Sequence, residues 1–387
     1  NNLQNHNKVI IMGAKYHTIR LIDFMSETSA QLNDRAKLKN LSDNELQAYL
    51  LEGVSRTFAL TIPQLPERLH QPIANAYLLC RIVDTIEDET SLTASQKKIF
   101  CSDFIEVVKE NHQPEIFSLE LSSLLSEQTI PAEHTLCHLI PRVVAITHSF
   151  DTVQKEALIS CVETMALGMP KFQALDLSKG LNTLPELDDY CYHVAGCVGE
   201  MLTKLFCHYS PEINQHRDQL LKLSISFGQG LQMTNILKDI WDDADRNVCW
   251  LPQDIFDETG FELQQLSASN HNDQFQHGLA HLISIGHDHL ENALTYTKLI
   301  PTHETGIRNF CLWALGMAVL NLQKIKANTD FNQSSQVKIS RRSVQATILA
   351  TRLTGKSNVL LTWLFKFAAR GLHSNDWQYS PNATPTK

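Results

Sequence analysis

Residues that break helices are scarce in this chain. Of its 387 residues, 15 are glycine and 13 are proline, well below the roughly 12% that these two types make up in average proteins. Strand-like alternation does not persist, and no linker rich in Gly, Pro or Ser divides the chain. The sequence therefore predicts an all-α fold, a single large helical bundle over 41–372. An N-terminal extension over 1–40 and a flexible tail over 373–387 are expected beside it.

Capping patterns and apolar spacing predict where the helices lie. Ser42 with Glu45 and Thr93 with Gln96 have the pattern of capping boxes, in which two side chains bond to the first helical turn. Pro141 is expected to kink or split its helix. Helical stretches are predicted over roughly 42–57, 66–89, 93–108, 114–126, 132–149, 152–175, 186–209, 213–246, 263–299, 306–328 and 340–370.

Charge and cysteine content limit the partners and the cellular compartment that we expect for the protein. The chain has 33 Lys and Arg against 42 Asp and Glu, a net charge of −9, so no nucleic-acid partner is expected. Nine cysteines are scattered without a Cys-x-x-Cys pair, which favours buried, reduced thiols in a cytoplasmic protein. Two histidine pairs, His134/His138 and His277/His281, have helical spacing but no third ligand beside them in the sequence. Ordinary histidines are the preferred interpretation.

One apolar run near the C-terminus comes closest to a membrane segment. Residues 359–365 read Val-Leu-Leu-Thr-Trp-Leu-Phe and are followed at once by Lys366. The run is far shorter than the ~20 residues that span a bilayer. A core-facing helix is the preferred interpretation, and a peripheral membrane contact is the alternative. A monomer is expected, because no large exposed apolar seam is apparent.

The first of two acidic clusters lies in a helix that otherwise has a core pattern. Asp84, Glu87 and Asp88 fall on one face within a single turn, and Tyr77 and Arg81 continue that stripe. Three carboxylates on one turn repel each other. The arrangement is therefore costly unless cations neutralise it.

The second cluster has the same character. Gln232, Asn235, Asp239 and Asp243 recur at helical spacing along one face. Carboxylate and amide oxygens suit Mg²⁺, which in proteins is commonly shared with a substrate phosphate. Facing each other across a bundle, the two clusters would enclose a diphosphate held through Mg²⁺. Two ordinary solvated acidic faces are the alternative.

Ordered motifs between about residues 54 and 256 are similar to those of a known family. They are Val54-Ser55-Arg56-Thr57-Phe58, Tyr77-x-x-x-Arg81-x-x-Asp84-x-x-Glu87-Asp88, Met165 to Met169, Tyr190 to Gly199, Gln232-x-x-Asn235-x-x-x-Asp239-x-x-x-Asp243 and Leu251-Pro252-Gln253. In this order and spacing the chain resembles the squalene/phytoene synthase family. Further on, Phe310-Cys311 and Val337-Lys338-Ile339 resemble the branch of that family that makes squalene.

The resemblance implies a fold and a reaction. The fold is the all-α bundle of isoprenoid synthases with a central active-site cavity, and the enzyme class is prenyltransferase. In the squalene branch, two farnesyl diphosphates condense head to head to presqualene diphosphate, which NADPH then reduces to squalene. Peripheral contact with a membrane would help such an apolar product leave.

Carried over position by position, the resemblance assigns roles to the site residues. The Mg²⁺ ligands would be Asp84, Glu87, Asp88, Asp239 and Asp243. Catalysis would involve Tyr190, Arg81, Tyr77, Asp84 and Asp239. The substrate would contact Ser55, Arg56, Phe58, Gln232 and Asn235. The NADPH cofactor would contact Lys238, Lys338 and Arg341.

The implied chemistry needs a particular environment. Mg²⁺ and arginine stabilise the charge that grows on a departing diphosphate as an allylic cation forms. The cation itself needs a dry apolar wall. Candidates for that wall, each also suited to plain core, are Phe58, Leu167, Met169, Val194, Leu202, Leu231 and Met233.

Three positions depart from the family's pattern. Lys238 stands where Arg is usual, Arg341 comes one place later than the branch's arginine, and Val248 lies in a stretch where many members carry Arg. Lysine keeps the charge but lacks the planar fork of arginine. No dinucleotide fingerprint is present, since Gly228-Gln-Gly230 lies in a helical pattern and is followed by Met233 where a third glycine would stand. Packing glycines are the preferred interpretation.

Other activities stay open at this point. A dehydrosqualene or phytoene synthase, or a presqualene diphosphate synthase, would lack the reductive step. The extension over 300–370, with Lys338, Arg341 and Arg342, favours the squalene branch. A non-catalytic relative would show lost acidic residues, and none is missing here. The substrate is either C15 or C20, since the depth of the cavity depends on side chains that the sequence does not place.

Overall fold

The computed structural model describes residue 38, residues 40–267 and residues 269–373, without the side chain of Arg56. The chain divides into two compact units, one up to Tyr49 and one from Leu50 onward. Most of the predicted extension over 1–40 and of the predicted tail over 373–387 falls outside the described residues. The domain boundaries therefore stay a prediction.

Helices make up the described chain, in this order: α1 Asp43–Val54, α2 Arg56–Thr61, α3 Glu67–Asp88, α4 Ala94–Val108, α5 Pro114–Ser122, α6 Pro131–His138, α7 Ile140–Ser149, α8 Thr152–Gln173, α9 Leu184–Cys191, α10 Cys197–Tyr209, α11 Pro211–Asn214, α12 Arg217–Lys238, α13 Ile240–Ala244, α14 Gln253–Thr259, α15 Asp273–Leu299, α16 Thr305–Ala327, α17 Arg341–Thr354 and α18 Asn358–Ala368. A π turn, Tyr192–Gly196, joins α9 to α10. The described residues form no strand, only two isolated β-bridges. The all-α prediction is confirmed.

The predicted helix signals are present where the sequence put them. In the first unit, Ser42 N donates to Glu45 Oε2 at 2.9 Å, and Glu45 N donates to Ser42 Oγ at 3.4 Å. In the second unit, Thr93 and Gln96 form the other capping box at the start of α4. Pro141 splits its predicted helix into α6 and α7.

Three long predicted helices are divided. In the stretch predicted over 263–299, a 3₁₀ turn, Leu263–Gln265, is separated by a loop from α15, which begins at Asp273. The stretch predicted over 213–246 breaks at Asp239, whose φ of −103° and ψ of 14° are not helical. The stretch predicted over 340–370 breaks between Thr354 and Asn358. There Ser357 opens α18 by accepting a hydrogen bond from Leu360 N at 3.3 Å, a local side-chain cap that competes with helix continuation.

Within the second unit, the longest helices pack in series. α3 lies against α8, α8 against α10, α10 against α12, α12 against α15, and α15 against α16. Large side chains between them are fully buried, among them Phe104, Phe206, Phe275 and Trp313. All nine cysteines are free thiols and eight are buried, as the sequence indicated.

One buried arginine ties the C-terminal helices to this core. The Arg308 side chain on α16 is fully buried. Its guanidinium donates to the carbonyl oxygens of Thr297, Ile300 and Gly355 at 3.0, 2.6 and 2.6 Å, and to Asn358 Oδ1 at 2.7 Å. The end of α15 and the start of α18 therefore share one hydrogen-bonded centre.

Among the described residues, no helix is long and apolar enough to cross a bilayer.

Candidate active site

A cavity of about 730 Å³ lies in the second unit and is lined by both acidic clusters. Its lining residues come from α2, α3, α8, α9, α10, α12, α13, α15 and α16 and from segments beside them. This size is within the range of roughly 300–1,000 Å³ typical of small-molecule sites. The two clusters, far apart in sequence, thus share one site, as predicted.

The first cluster occupies the last turn of α3. Burial raises the pKa of Asp84 to about 7, and the charge of Arg81 opposes that shift. Burial, together with the charge of Asp84, raises the pKa of Glu87 to about 8, although a hydrogen bond from Gln173 Nε2 at 3.0 Å opposes it. Asp88 also lines the cavity, with a side chain 63% exposed. Carboxylates in this state gain strongly from a divalent cation.

Arg81 is held in place by a residue that the sequence analysis missed. Its Nη2 forms a short ion pair with the buried carboxylate of Glu133 on α6, and its Nη1 lies 3.9 Å from Asp84 Oδ2. Glu133 comes 52 positions later in the chain. No local pattern relates the two residues, so only the packing of α6 on α3 reveals the pair.

The second cluster forms where α12 ends. Because the helix stops at Lys238, Asp239 lies in the break, and Asp243 belongs to the short helix α13. Lys238 Nζ lies 3.1 Å from both Asp239 Oδ2 and Asn235 Oδ1. Burial raises the pKa of Asp243 to about 6, and a hydrogen bond from Arg246 opposes the rise.

Arg246 bridges the two clusters and was also missed. Its Nη2 donates to Asp243 Oδ1 at 2.6 Å, and its Nη1 lies 3.7 Å from Asp88 Oδ1 on the opposite wall. The residue lines the cavity. Helical spacing from Asp239 and Asp243 could have identified it, since Arg246 follows them by seven and three positions.

The residues assigned to the cofactor separate in space. Lys238 and Lys338 line the cavity. Lys338 Nζ lies 3.5 Å from Asp242 Oδ2 and 4.0 Å from Asp239 Oδ1, so both lysines are at the second cluster. Arg341 is exposed at the start of α17 and is not among the lining residues.

Aromatic rings form the inner wall. Tyr190 stacks on Trp250, with ring centroids 3.7 Å apart and planes 11° apart, and meets the edge of Phe172 at 5.2 Å. Burial raises the pKa of Tyr190 well above its usual value, so its hydroxyl stays protonated. Phe58 and Tyr77 lie with centroids 4.6 Å apart. Ring faces of this kind attract cations.

The remaining predicted substrate contacts are only partly at the cavity. Gln232, Asn235 and Phe58 line it, whereas Ser55 does not. Ser55 is the N-cap of α2, where its hydroxyl accepts a hydrogen bond from Phe58 N at 3.2 Å. The side chain of Arg56 lies outside the described part of the structure.

The candidates for the apolar wall divide in the same way. Phe58, Val194, Leu202 and Leu231 line the cavity. The other three do not, because Leu167 is on the surface and two methionines are plain core: Met169 and Met233. Helical spacing identified apolar positions but not which neighbour each one meets.

The π turn lets two backbones approach closely beside the cavity. Gly228 on α12 lies against it, so that a Cβ at this position would be 2.2 Å from Ala195 O and 2.7 Å from Gly196 N. At Gly230 a Cβ would be 2.8 Å from His289 Cβ. The two glycines thus serve helix packing, as the sequence analysis preferred.

Comparison with known proteins identifies the family of the chain. The family model "Squalene/phytoene synthase" matches residues 51–343. A squalene synthase of Cyberlindnera jadinii is 28% identical over 340 residues, which cover 85% of this chain and 72% of that protein. A squalene synthase of Solanum lycopersicum is also 28% identical, over 70% of this chain and 61% of its own length.

Solved structures show the same fold. A TcSQS structure in complex with a ligand superimposes with a TM-score of 0.66 at 20% identity, covering 85% of this chain and 98% of that one. A dehydrosqualene synthase in complex with a ligand gives a TM-score of 0.58 at 18% identity, covering 83% and 96%.

Fold and site together define the class of protein as an all-α prenyltransferase. More particularly, the chain belongs to the squalene/phytoene synthase family.

Proposed function

We propose that the protein condenses two farnesyl diphosphates head to head to presqualene diphosphate and reduces this intermediate to squalene with NADPH. The observation that carries the proposal is the single cavity lined by both acidic clusters, by two lysines and by stacked aromatic rings. The similarity to squalene synthases over most of the chain supports the same reaction.

The donor set fits magnesium. Asp84, Glu87 and Asp88 on one wall and Asp239 and Asp243 on the other are the groups that would hold it. All five offer carboxylate oxygens, which is the ligand chemistry Mg²⁺ prefers, and a bound cation would offset the burial that raises the pKa of Asp84, Glu87 and Asp243. When bound, Mg²⁺ neutralises the negative charge of a diphosphate and polarises its bridging oxygen.

Arginine side chains can also stabilise the negative charge of the diphosphate. Arg246 lies between the clusters and Arg81 lies beside Asp84, so both can donate to a diphosphate that binds there. As the allylic C–O bond breaks, the electron pair stays on the diphosphate and positive charge appears on the prenyl chain. The rings of Tyr190, Trp250 and Phe58 can face that cation, and the buried wall excludes water.

Two lysines at the second cluster fit the phosphate groups of a dinucleotide. Lys238 and Lys338 would contact NADPH, which when bound supplies a hydride. Arg341 stays a proposal for the same role from its exposed position outside the cavity lining. The alternative is an enzyme of the same family without the reductive step. The two activities are distinguished by the products they form.

Product analysis tests the proposal. Purified protein is incubated with farnesyl diphosphate and Mg²⁺, with and without NADPH, and products are identified by gas chromatography with mass spectrometry. Squalene with NADPH and presqualene diphosphate without it are expected. A cofactor-independent dehydrosqualene would refute the reductive half. No product from either farnesyl or geranylgeranyl diphosphate would refute the reaction itself.

Variants connect the activity to the site. Asp84→Asn and Asp239→Asn should abolish ionisation of the diphosphate while leaving the far-UV circular dichroism spectrum unchanged. The matched control is Asp245→Asn, since Asp245 is exposed, does not line the cavity and lies two positions after Asp243. Full turnover in either cluster variant would contradict the assignment.

The surface of α18 supports a membrane contact. The preferred sequence interpretation, a core-facing helix, holds for Leu361 and Phe365, which are buried. On the outer face, however, Val359, Trp363 and Phe367 are 79%, 65% and 66% exposed. An exposed apolar seam therefore exists here, contrary to the premise from which a monomer was expected.

The charge around this face favours an anionic lipid surface as its partner. Between residues 331 and 373 the chain has no Asp or Glu, while Arg352, Lys356, Lys366 and Arg370 accompany α17 and α18. Aromatic and basic residues on one helix are typical of helices that lie in the interface of a membrane. An apolar product would pass from such a position into lipid.

Vesicle binding tests the membrane contact. The protein should sediment together with vesicles of phosphatidylglycerol and phosphatidylcholine. The double variant Trp363→Ser with Phe367→Ser should stay in the supernatant. The control pair is Ile116→Ser with Leu119→Ser, which removes two comparably exposed apolar residues from α5. Equal binding of both double variants, or a concentration-dependent dimer that masks the face, would contradict the proposal.

A further inference from the structure

Three side chains meet at a point that the cavity does not include. His287 and Asp288 lie near the middle of α15, and His373 follows α18. Nδ1 of His287 is 3.5 Å from Asp288 Oδ1, and Nδ1 of His373 is 3.3 Å from the same oxygen. One ligand atom from each residue fits within a span of 4.8 Å.

The buried histidine of this trio is the unusual member. The His287 side chain is only 6% exposed, and its Nδ1 points toward Asp288 without a hydrogen-bond partner. Asp288 Oδ1 lies within hydrogen-bond distance of His373 Nδ1, at 3.3 Å, whereas its 3.5 Å contact with His287 Nδ1 leaves that buried nitrogen without a hydrogen bond. A buried nitrogen without a partner is costly and rare, which indicates a ligand at this point.

The distances fit a tetrahedral metal. Bonds of roughly 2.0–2.1 Å to nitrogen and oxygen, arranged tetrahedrally, place neighbouring ligand atoms about 3.3–3.4 Å apart. Two of the three separations between ligand atoms, those from each histidine to Asp288 Oδ1, are 3.5 and 3.3 Å, and the third is within 4.8 Å. Imidazole and carboxylate ligands select zinc and similar transition metals, whereas Mg²⁺ prefers oxygen ligands alone.

We propose that His287, Asp288 and His373 bind a Zn²⁺ ion or a similar divalent transition metal. The side chain of His373 is 50% exposed, which gives the ion a path from solvent and leaves room for a water ligand. The ring of Phe365 lies 5.8 Å from that of His287 and closes the apolar side. The ion joins the middle of α15 to the chain that follows α18.

Neither histidine pair that the sequence singled out belongs to this site. His134/His138 and His277/His281 were noticed because their spacing is local. The site instead uses adjacent residues of one helix and a histidine 85 positions further on. The proposal does not rest on the proposed function, because the ion would take no part in the condensation.

Cobalt substitution tests the site. Co²⁺ is titrated into the full chain in the presence of excess Mg²⁺, which occupies the acidic clusters, and visible absorption is recorded. One equivalent should give the strong absorption bands of a tetrahedral nitrogen and oxygen site, and Zn²⁺ should abolish them. His373→Ala and Asp288→Asn should each weaken Co²⁺ binding by roughly tenfold or more.

A histidine elsewhere on the surface provides the control. His303 is 66% exposed and its Nε2 lies 3.4 Å from Glu212 Oε2, away from this trio, so His303→Ala should leave the spectrum unchanged. Zn²⁺ should raise the melting temperature of the wild type and of His303→Ala but not of His373→Ala. Wild-type binding by His373→Ala, or no tetrahedral spectrum at all, would overturn the proposal. Product analysis is a separate readout, so failure of the squalene assignment leaves this result intact.

Discussion

Replacing Gly228 by alanine should force two helices apart at the wall of the active site. The added Cβ would lie 2.2 Å from Ala195 O and 2.7 Å from Gly196 N. Both are backbone atoms, so no side-chain rotation relieves the contact, and α12 would have to move from the π turn by roughly 1 Å. Overpacking of this kind costs about 1–3 kcal/mol.

The substitution of Gly228 by alanine also stabilises the helix itself, and this gain opposes the cost of the clash. Alanine in a helix interior is favoured over glycine by about 1 kcal/mol. Gly286→Ala on α15 shares this benefit, but the atoms nearest its Cβ would be Leu322 Cδ1 at 3.5 Å and Met233 Sδ at 3.7 Å, which is ordinary contact. The difference between the two variants therefore isolates the clash, and we expect about 1–3 kcal/mol in free energy of unfolding.

Urea unfolding followed by circular dichroism measures that difference. The Gly286→Ala variant should unfold at or above the wild-type midpoint, and Gly228→Ala clearly below that of Gly286→Ala. Gly228→Ala should also lower turnover, because Val194 and Ala195 of the π turn line the cavity. Equal midpoints for the two variants would refute the packing explanation and return Gly228 to the list of residues open to a ligand role.

Three further predictions concern single side chains. Arg308→Met removes the guanidinium from three buried carbonyl oxygens, of which only Thr297 O keeps a backbone hydrogen bond, from Ile300 N, so the free energy of unfolding should fall by about 3–5 kcal/mol, as measured by urea unfolding. Arg246→Gln removes the charge between the two acidic clusters, so turnover in steady-state kinetics should fall by roughly 10²–10³ with the fold unchanged. Buried Glu89 accepts hydrogen bonds from Ser91, Ser126 and Thr129, which lower its pKa to about 2. Its contribution to stability should be complete above pH ~4.5 and disappear as the pH falls toward 2, and Glu89→Gln should remove that pH dependence from urea midpoints.

Controls keep these predictions specific. Arg352→Met removes an exposed arginine that lies over Trp313 at 5.3 Å, and it should change the free energy of unfolding by about 1 kcal/mol or less. Arg246→Lys keeps a point charge and should lose less turnover than Arg246→Gln. Wild-type stability of Arg308→Met would contradict the first argument, and wild-type turnover of Arg246→Gln the second. The third is contradicted if the urea midpoints of Glu89→Gln depend on pH as those of the wild type do.

Local order explains what the sequence could predict. Helices, capping boxes and the two acidic stripes depend on residues within a few positions of each other, and the helical period places them directly. The split at Pro141 follows from its missing N–H and fixed φ. The meeting of the clusters in one cavity was inferable because each stripe needed the same cation.

Contacts between distant segments explain what was missed. Glu133 reaches Arg81 from another helix, and Trp250 reaches Tyr190 from a loop after α13. The break at Asp239 has no proline or glycine beside it, so the local sequence did not predict it. The apolar residues of α18 likewise did not indicate which face of this helix would be exposed to solvent.

The π turn also fixes the rotational register of the cavity wall. Tyr190, Val194, Val198, Leu202 and Phe206 all line the cavity at intervals of four residues. In a regular helix of 3.6 residues per turn, such a row drifts by about 40° per step, or about 160° over its length. A π turn takes up about one extra residue, which returns about 100° of that drift.

Deleting one residue from Tyr192–Gly196 could therefore restore an ordinary helix and still ruin the enzyme. Leu202 and Phe206 would swing out of the wall while every backbone hydrogen bond stayed satisfied. In this segment, the number of residues therefore matters as much as their types.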